Sequence, residues 1–417
     1  MANNIPSYSV RILTADGSSY NVTSILTDLR LSEHDGQLAQ TATIKMANIV
    51  HNGSYLTSLF DVIDRVYVHA NYEGETKEVF RGFVWNKEYT SSLEKELSLI
   101  CYDNLIYLMQ SEVCKFFAEG TNTETICSDL CSDWGIELSY EYENISHPKL
   151  PLEGSLGNIF TSDVLDEVKK QTGVKYVLRS SEDVLHIMRA GTNTKIYEIR
   201  TKQNSGDVRH NISMDEVVTQ VIITGKKGDD DRTPIEATVT GKTDLFGTIQ
   251  KRISKSEDTG LDESRQEAQE LLDENGEPKE TVYLDRAVDI PFLRKGDMIK
   301  INSGDVLERY CIVTDITHNA VSKTMNIQGE FCDKLSYDGT SDGSDGSLAG
   351  KELHLDHVPL YNLNHPDIKM SDTFGTFYLY DGIEVNGKYL VTVSKDRVNK
   401  QPSGFNATGW IDKEYAV

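Results

Sequence analysis

Ile290-Pro291-Phe292-Leu293-Arg294-Lys295-Gly296-Asp297-Met298-Ile299-Lys300-Ile301 runs from an apolar cluster through a charged turn into an alternating strand. The chain has already read this way once, at Leu59-Phe60-Asp61-Val62-Ile63-Asp64-Arg65-Val66-Tyr67-Val68. Each copy continues with two further strands. Phe80-Arg81-Gly82-Phe83-Val84 and Leu99-Ile100-Cys101-Tyr102-Asp103-Asn104-Leu105 follow the first. Tyr310-Cys311-Ile312-Val313-Thr314 and Gln328-Gly329-Glu330-Phe331-Cys332-Asp333-Lys334-Leu335 follow the second. Both copies close on Asp-x-Leu. A repeat on this scale reveals architecture before any side-chain chemistry does. A chain with two similar β-barrels offers six of them as a trimer, which is how a three-fold object mates with a six-fold one.

Alternation and turn signals extend the β reading outward. Tyr8-Ser-Val-Arg-Ile-Leu13, the Asp16-Gly17 turn and Tyr20-Asn-Val22 make a hairpin, and Thr41 to Met46 is a further strand. From Tyr107 the texture changes. Ile126, Leu130 and Trp134 recur at helical spacing before Gly135, and a second helix is expected from Ser162 as N-cap to Gly173. Strands 174–178 and 184–188 flank the polar turn Ser180 to Asp183. The β texture returns at Val217 to Thr224, interrupted by one helix at Asp262 to Leu272 and by an exposed loop holding Asp229, Asp230 and Asp231. Ser336 to Gly350 is a Gly/Ser/Asp linker with almost nothing to bury. The expected class is mainly β with an α+β insert. The expected division is 1–106, first β-barrel; 107–200, α+β insertion domain; 201–335, second β-barrel; 336–350, linker; 351–417, small C-terminal barrel.

Composition narrows the function. The 417 residues carry a formal net charge of −24, so the chain lacks the basic face that grips phosphates. An acidic wall instead lets DNA pass without sticking, and acidity also keeps a large assembly soluble. Met1 to Tyr20 hold no apolar run after a basic start, so no signal peptide is expected, and no stretch approaches the ~20 apolar residues that span a bilayer. Six cysteines with no C-x-x-C pair are expected as buried free thiols rather than disulfides or zinc ligands.

No catalytic constellation stands out. Gly241-Lys242-Thr243 ends like a phosphate-binding loop, but position 236 is Glu where the motif needs glycine. His354, His357, His365 and Asp367 are the densest set of potential metal ligands, yet in an extended segment His354 and His357 point to opposite faces. Neither metal nor cofactor is expected. The C-terminal aromatics mostly serve the core of a small barrel. Tyr361, Tyr378, Tyr380, Tyr389 and Trp410 are the candidate interaction surface.

Phe292 to Ile301, Cys311 to His318 and Met325 to Gln328, with Gly120 to Ile126 and Ser162 to Val168 in the insert, resemble the late-control D-type hub proteins of contractile phage tails and phage-tail-like bacteriocins. The likeness covers roughly residues 1–335. Leu360-Tyr361, Gly375 to Tyr378, Asn386-Gly387 and Gly409-Trp410 resemble bacterial SH3-type modules. The resemblance implies two tube-type barrels per chain and a homotrimeric baseplate hub joining the tail tube protein to the central spike protein. It implies further contacts with peripheral wedge proteins and the tape measure protein, and DNA only in passage through the lumen. The expected location is the virion tail, assembled in the host cytoplasm, with no membrane anchor and no enzymatic activity. The alternative is a cell-wall-binding or lytic tail protein anchored by its SH3-like module.

Overall fold

A computed structural model describes residues 5–89, 96–201, 203–206, 208–226, 232–255, 260–303, 306–332, 350–361, 369–385, 388–395 and 408–415. The chain divides into two units. One comprises 1–106, 179–185 and 195–335, the other 107–178, 186–194 and 336–417.

The first unit is built on thirteen strands in a single sheet. The first repeat supplies β1 (Ser7–Leu13), β2 (Ser19–Asn21), β3 (Leu26–Glu33), β4 (Thr41–Ala47), β5 (Arg65–Tyr72), β6 (Glu75–Tyr89) and β7 (Glu96–Tyr102). The second supplies β8 (Tyr197–Arg200), β9 (Val208–Ser213), β10 (Lys279–Val288), β11 (Met298–Ser303), β12 (Val306–Asn319) and β13 (Thr324–Cys332). Strands run β3-β4-β7-β6-β5-β1-β2 in the first block and β9-β10-β13-β12-β11-β8 in the second. Five strands therefore recur in the same order, with every ladder antiparallel in both blocks. The sixth differs: β1 lies antiparallel on β5, whereas β8 lies parallel on β11.

Alternation explains why these segments are strands. Ala42, Ile44 and Met46 of β4, with Leu97, Leu99 and Cys101 of β7, point to one face and are buried. They belong to a core that also takes in Val10, Ile12, Leu29, Leu31, Val66 and Val68. A separate core in the second block gathers Val282, Leu284, Ile299, Ile301, Cys311, Val313 and Ile327. The blocks meet edge to edge, where β3 pairs with the end of β12, so among the described residues both belong to one continuous sheet.

The second block carries an appendage that alternation alone does not reveal. Gln220–Thr224, Ile235–Thr240 and Gln250–Ser254 form their own three-stranded sheet. The helix Leu261–Asn275 packs Ala268 and Leu272 against Val221 and Ile223 there. The triple Asp229 to Asp231 lies outside the described residues.

In the second unit, helix Thr123–Ser132 starts at Asn122, whose side chain accepts from the Thr125 N–H at 2.8 Å. Trp134 lies beyond the helix end and donates from its indole to Ser111 Oγ at 2.9 Å. The next helical stretch corrects the expected N-cap. It begins at Leu156, six residues before Ser162, and passes through a wider i→i+5 segment, Ile159–Leu165, before ending at Gly173 with φ +71°. Ser162 is therefore an interior residue. The strands Tyr176–Ser181 and Val184–Arg189 join through Glu182 and Asp183, both in the left-handed region that a two-residue hairpin turn demands.

The C-terminal strands Glu352–Tyr361, Lys369–Val385, Lys388–Thr392 and Gly409–Asp412 close into a small barrel. Leu353, Leu355, Phe377, Leu379, Val391 and Ile411 fill it. Asp381-Gly382 is not a hairpin turn. It falls inside a continuous strand, at a register shift between Leu379 and Glu384. Asn386-Gly387 and the linker residues 336–349 lie outside the described residues.

Candidate functional site at the junction of the two β blocks

The repeated turns share their hydrogen bonds atom for atom. In the first, Asp64 Oδ2 accepts from the Asp61 N–H at 2.7 Å, Ile63 N–H donates to Val84 O at 2.7 Å, and Val84 N–H donates to Asp64 O at 2.9 Å. In the second, Asp297 Oδ2 accepts from the Arg294 N–H at 2.8 Å, Gly296 N–H donates to Val313 O at 2.7 Å, and Val313 N–H donates to Asp297 O at 2.9 Å. The third turn residue is left-handed in both, at φ +71° for Ile63 and +86° for Gly296. The following ladders each carry a bulge at the same point, between Val84 and Asn86 and between Val313 and Asp315. This register makes Cys101 the counterpart of Gly329. Matching the two closing aspartates by sequence instead equates Cys101 with Phe331, two residues further along. Asp333 itself lies outside the described residues.

Around the second turn the polar side chains converge from distant segments. Arg294 makes a two-pronged contact to Glu33 at the end of β3, Nε to Oε2 at 3.1 Å and Nη2 to Oε1 at 2.7 Å. Its Nη1 donates to Ser180 O at 2.8 Å, in the hairpin turn that belongs to this unit. Arg179, on the strand that leads into this turn, pairs with Asp297 Oδ1 at 2.8 Å. Lys295 donates from Nζ to the carbonyls of His34 and Gln37 at 3.1 and 2.7 Å. Asp103 accepts backbone N–H bonds from Gln40 at 3.0 Å and Leu105 at 3.0 Å. Asn104 accepts from Ser180 Oγ at 2.6 Å and donates to Asp183 O at 2.6 Å.

Burial sets the protonation states. Desolvation alone pushes the Glu33 carboxyl up, but Arg294, with Arg179 and Lys295 nearby, outweighs it and holds the group at about 2. For Asp103 burial wins over its two backbone donors, and the carboxyl is pushed up to about 7. Lys295 is pulled below its ordinary value by burial.

A second buried group lies beside the seam. His318 Nδ1 bonds Asp289 Oδ1 at 2.6 Å, its Nε2 bonds Leu293 O at 2.9 Å, and Tyr8 donates to Asp289 Oδ2 at 2.5 Å. Both ring nitrogens face acceptors, so the imidazole carries both protons. Burial opposes the charge, and the Asp289 carboxylate overcomes it, raising the pKa above the ordinary histidine value. Tyr8, Asp289 and His318 superficially match an acid–base triad. Asp289 and His318 are buried, and burial and Asp289 push the Tyr8 hydroxyl far up, away from nucleophilic use. The arrangement ties β1 of the first block to β12 of the second.

Among the described residues no cluster of His, Cys, Asp or Glu is arranged to hold a metal ion. His354 and His357 are exposed, and His365 and Asp367 lie outside the described residues. Cys101, Cys127, Cys131 and Cys311 are buried and outside any disulfide among the described residues, and burial raises the first three thiols.

The five aromatics singled out in the C-terminal barrel do not share one face. Tyr389 packs against the barrel core. Tyr380 is buried and clusters with Leu390 and Trp410. Tyr361 donates to Asp412 Oδ2 at 3.0 Å beneath the Lys388 ammonium, which lies 3.2 Å from its ring centre. Tyr378 is half-buried on the strand opposite Glu352. Sequence reasoning missed Glu33, Gln40, Asp289 and His318. The visible signal was charged Arg294-Lys295 embedded in an apolar cluster.

A family model described as YQBQ-like matches residues 33–328. The fold is similar to the tail protein from Neisseria meningitidis MC58, at 11% identity and TM-score 0.58, over 78% of this chain and 97% of that one. It is also similar to the 43 kDa tail protein of prophage MuSo2 from Shewanella oneidensis, at 13% identity and TM-score 0.56, over 78% of this chain and 98% of that one. At such identities the likeness is one of fold. No curated protein matches the chain. With well over half of its residues inside the matched span, this chain belongs to the YQBQ-like family.

Proposed function

We propose that the protein is a structural component of a phage-type tail, the hub at which a six-fold tube meets a three-fold spike. The observation that carries this reading is the duplicated block: the same five-strand order, the same turn and the same bulge twice in one chain. Three chains then supply six near-equivalent blocks, matching a hexameric tube on one side while presenting true three-fold symmetry on the other. Similarity in fold to two tail proteins supports the same assignment. On this reading the two blocks, 1–106 and 195–335, line the ring as tube-type domains. The SH3-like module 351–417, tethered by 336–350, recruits a peripheral baseplate protein. The partners are the tube, spike, wedge and tape measure proteins, and DNA only crosses the acidic lumen.

The role is non-enzymatic, and the buried ion pairs set the relative position of the two blocks. Light scattering of the purified chain with and without its tube protein tests the proposal. A complex of three chains stacked on a tube hexamer supports it. A stable dimer, or a monomer within an assembled tail, overturns it.

A further inference from the structure

The seam between the two blocks is filled once inside the chain, and its second copy is open. At the filled seam β3 adds to the end of β12, pairing Glu33 with Ile316, Ser32 with Thr317, Leu31 with His318 and Arg30 with Asn319. Ser32 Oγ and Thr317 Oγ1 sit 3.1 Å apart across it, and Ala320 N–H donates to Leu29 O at 2.9 Å.

The ladder registers identify the counterparts of both edges. Val84 opposite Cys101 matches Val313 opposite Gly329, so Lys87, Glu88 and Tyr89 of β6 correspond to Ile316, Thr317 and His318 of β12. Ala42 opposite Cys101 matches Val282 opposite Gly329. Following β4 to β3 and β10 to β9, His210, Asn211 and Ile212 correspond to Leu31, Ser32 and Glu33.

Neither of these counterpart edges is paired among the described residues. The β5 ladder on β6 reaches only Phe83, leaving that side of 86–89 open, and β9 pairs with β10 alone. Exposure follows. His318 and Glu33, at the filled seam, are 3% and 4% exposed, whereas their counterparts Tyr89 and Ile212 are 59% and 60% exposed. Two open edges with large apolar side chains invite strand addition.

We infer that β9 of one chain adds to β6 of a second copy, with Ile212 opposite Lys87, Asn211 opposite Glu88 and His210 opposite Tyr89, repeating between chains the seam already closed within each. The occupant is a second copy because each open edge has its complement on the same polypeptide, in the register that the filled seam displays. The contact is head-to-tail and propagates around a ring. The inference rests on the proposed ring for the number of chains, and on the strand registers for the contact itself.

The test uses the full-length chain with Cys114→Ser, to which Glu88→Cys and Asn211→Cys are added together. A short bis-maleimide is applied, and the products are resolved on denaturing gels alongside native mass spectrometry. The control pair is Asp16→Cys with Asn211→Cys. Opposed cysteines react at high effective concentration, so linked chains should exceed the control by about tenfold or more. A charge placed on the edge by Ile212→Lys, which leaves the isolated chain's melting unchanged, should abolish the association. Three chains per particle without excess linkage overturns the seam and leaves the ring standing. Strong linkage in particles of another size retains the seam and overturns the ring of three. A chain that stays monomeric at every concentration overturns both.

Discussion

Glu33 and Arg294 are 261 positions apart in sequence and meet in a two-pronged ion pair, with side-chain exposures of only 5% and 17%. The pair joins the end of β3 to the second repeated turn, the two elements that bring the blocks together.

Removing one partner leaves the other charged and buried. Arg294→Ala and Glu33→Ala should each lower stability by about 3–5 kcal/mol, while Glu33→Leu with Arg294→Met should recover most of the loss. Urea unfolding of the full chain measures this. Single variants that cost less than about 1 kcal/mol, the level of an exposed pair, would sink the idea of a lock.

The pH dependence follows from three groups. Asp103, raised to about 7 by burial, and His318, raised by Asp289, both contribute stability at low pH that is lost as pH rises through their folded values. Glu33, held at about 2, contributes stability present above its ordinary value of 4.5 and lost as pH falls toward 2. The melting temperature should therefore decline as pH rises from mildly acidic to above neutrality, and decline again as pH falls below ~4. His318→Gln should flatten the alkaline decline and lower stability at pH ~5.5; an unchanged profile contradicts the buried imidazolium.

Ile63 occupies a left-handed position that its counterpart fills with glycine. A β-branched residue there is strained, and Ile63 is more than half exposed, so it gains little from burial. Ile63→Gly should stabilise by about 1 kcal/mol, because strain relief exceeds the entropy cost of a new glycine. Gly296→Val should destabilise by about 1–3 kcal/mol. If both substitutions are neutral in thermal unfolding, the equivalence of the two turns has no energetic content.

Deleting 351–417 should leave association of the remaining chain unchanged and weaken binding of a peripheral tail protein. The deletion variant's native mass checks the first point. Purified full-length protein should not clear suspensions of bacterial cell walls; clearing that a point substitution in this chain abolishes would replace the structural reading with a lytic one.

The repeat was legible because its turn makes local demands. An aspartate must accept the N–H three residues back, and the strands beside it must alternate. The small C-terminal barrel was legible from its short aromatic-rich strands, although Asp381-Gly382, read as a turn, lies inside one of them. What stayed hidden depends on distant partners. Nothing local to Glu33 announces Arg294, and nothing in β3 shows that its edge joins β12 instead of ending a barrel. Ser162 read as a helix start because its composition suits a cap, but the apolar run Leu156, Ile159 and Phe160 had already begun the helix. Among the C-terminal aromatics, type alone did not separate Tyr380 and Tyr389, which pack into apolar clusters, from Tyr361, which meets a lysine and an aspartate.

The central claim is that two near-equivalent blocks per chain build a ring of six from three copies. Native mass spectrometry of the full-length protein, alone and with its tube protein, tests it most directly. The account predicts particles of three times the 46.8 kDa chain, stacked on a hexamer when the tube protein is present. A dimer, or a tube complex holding a number of chains other than three, would contradict it.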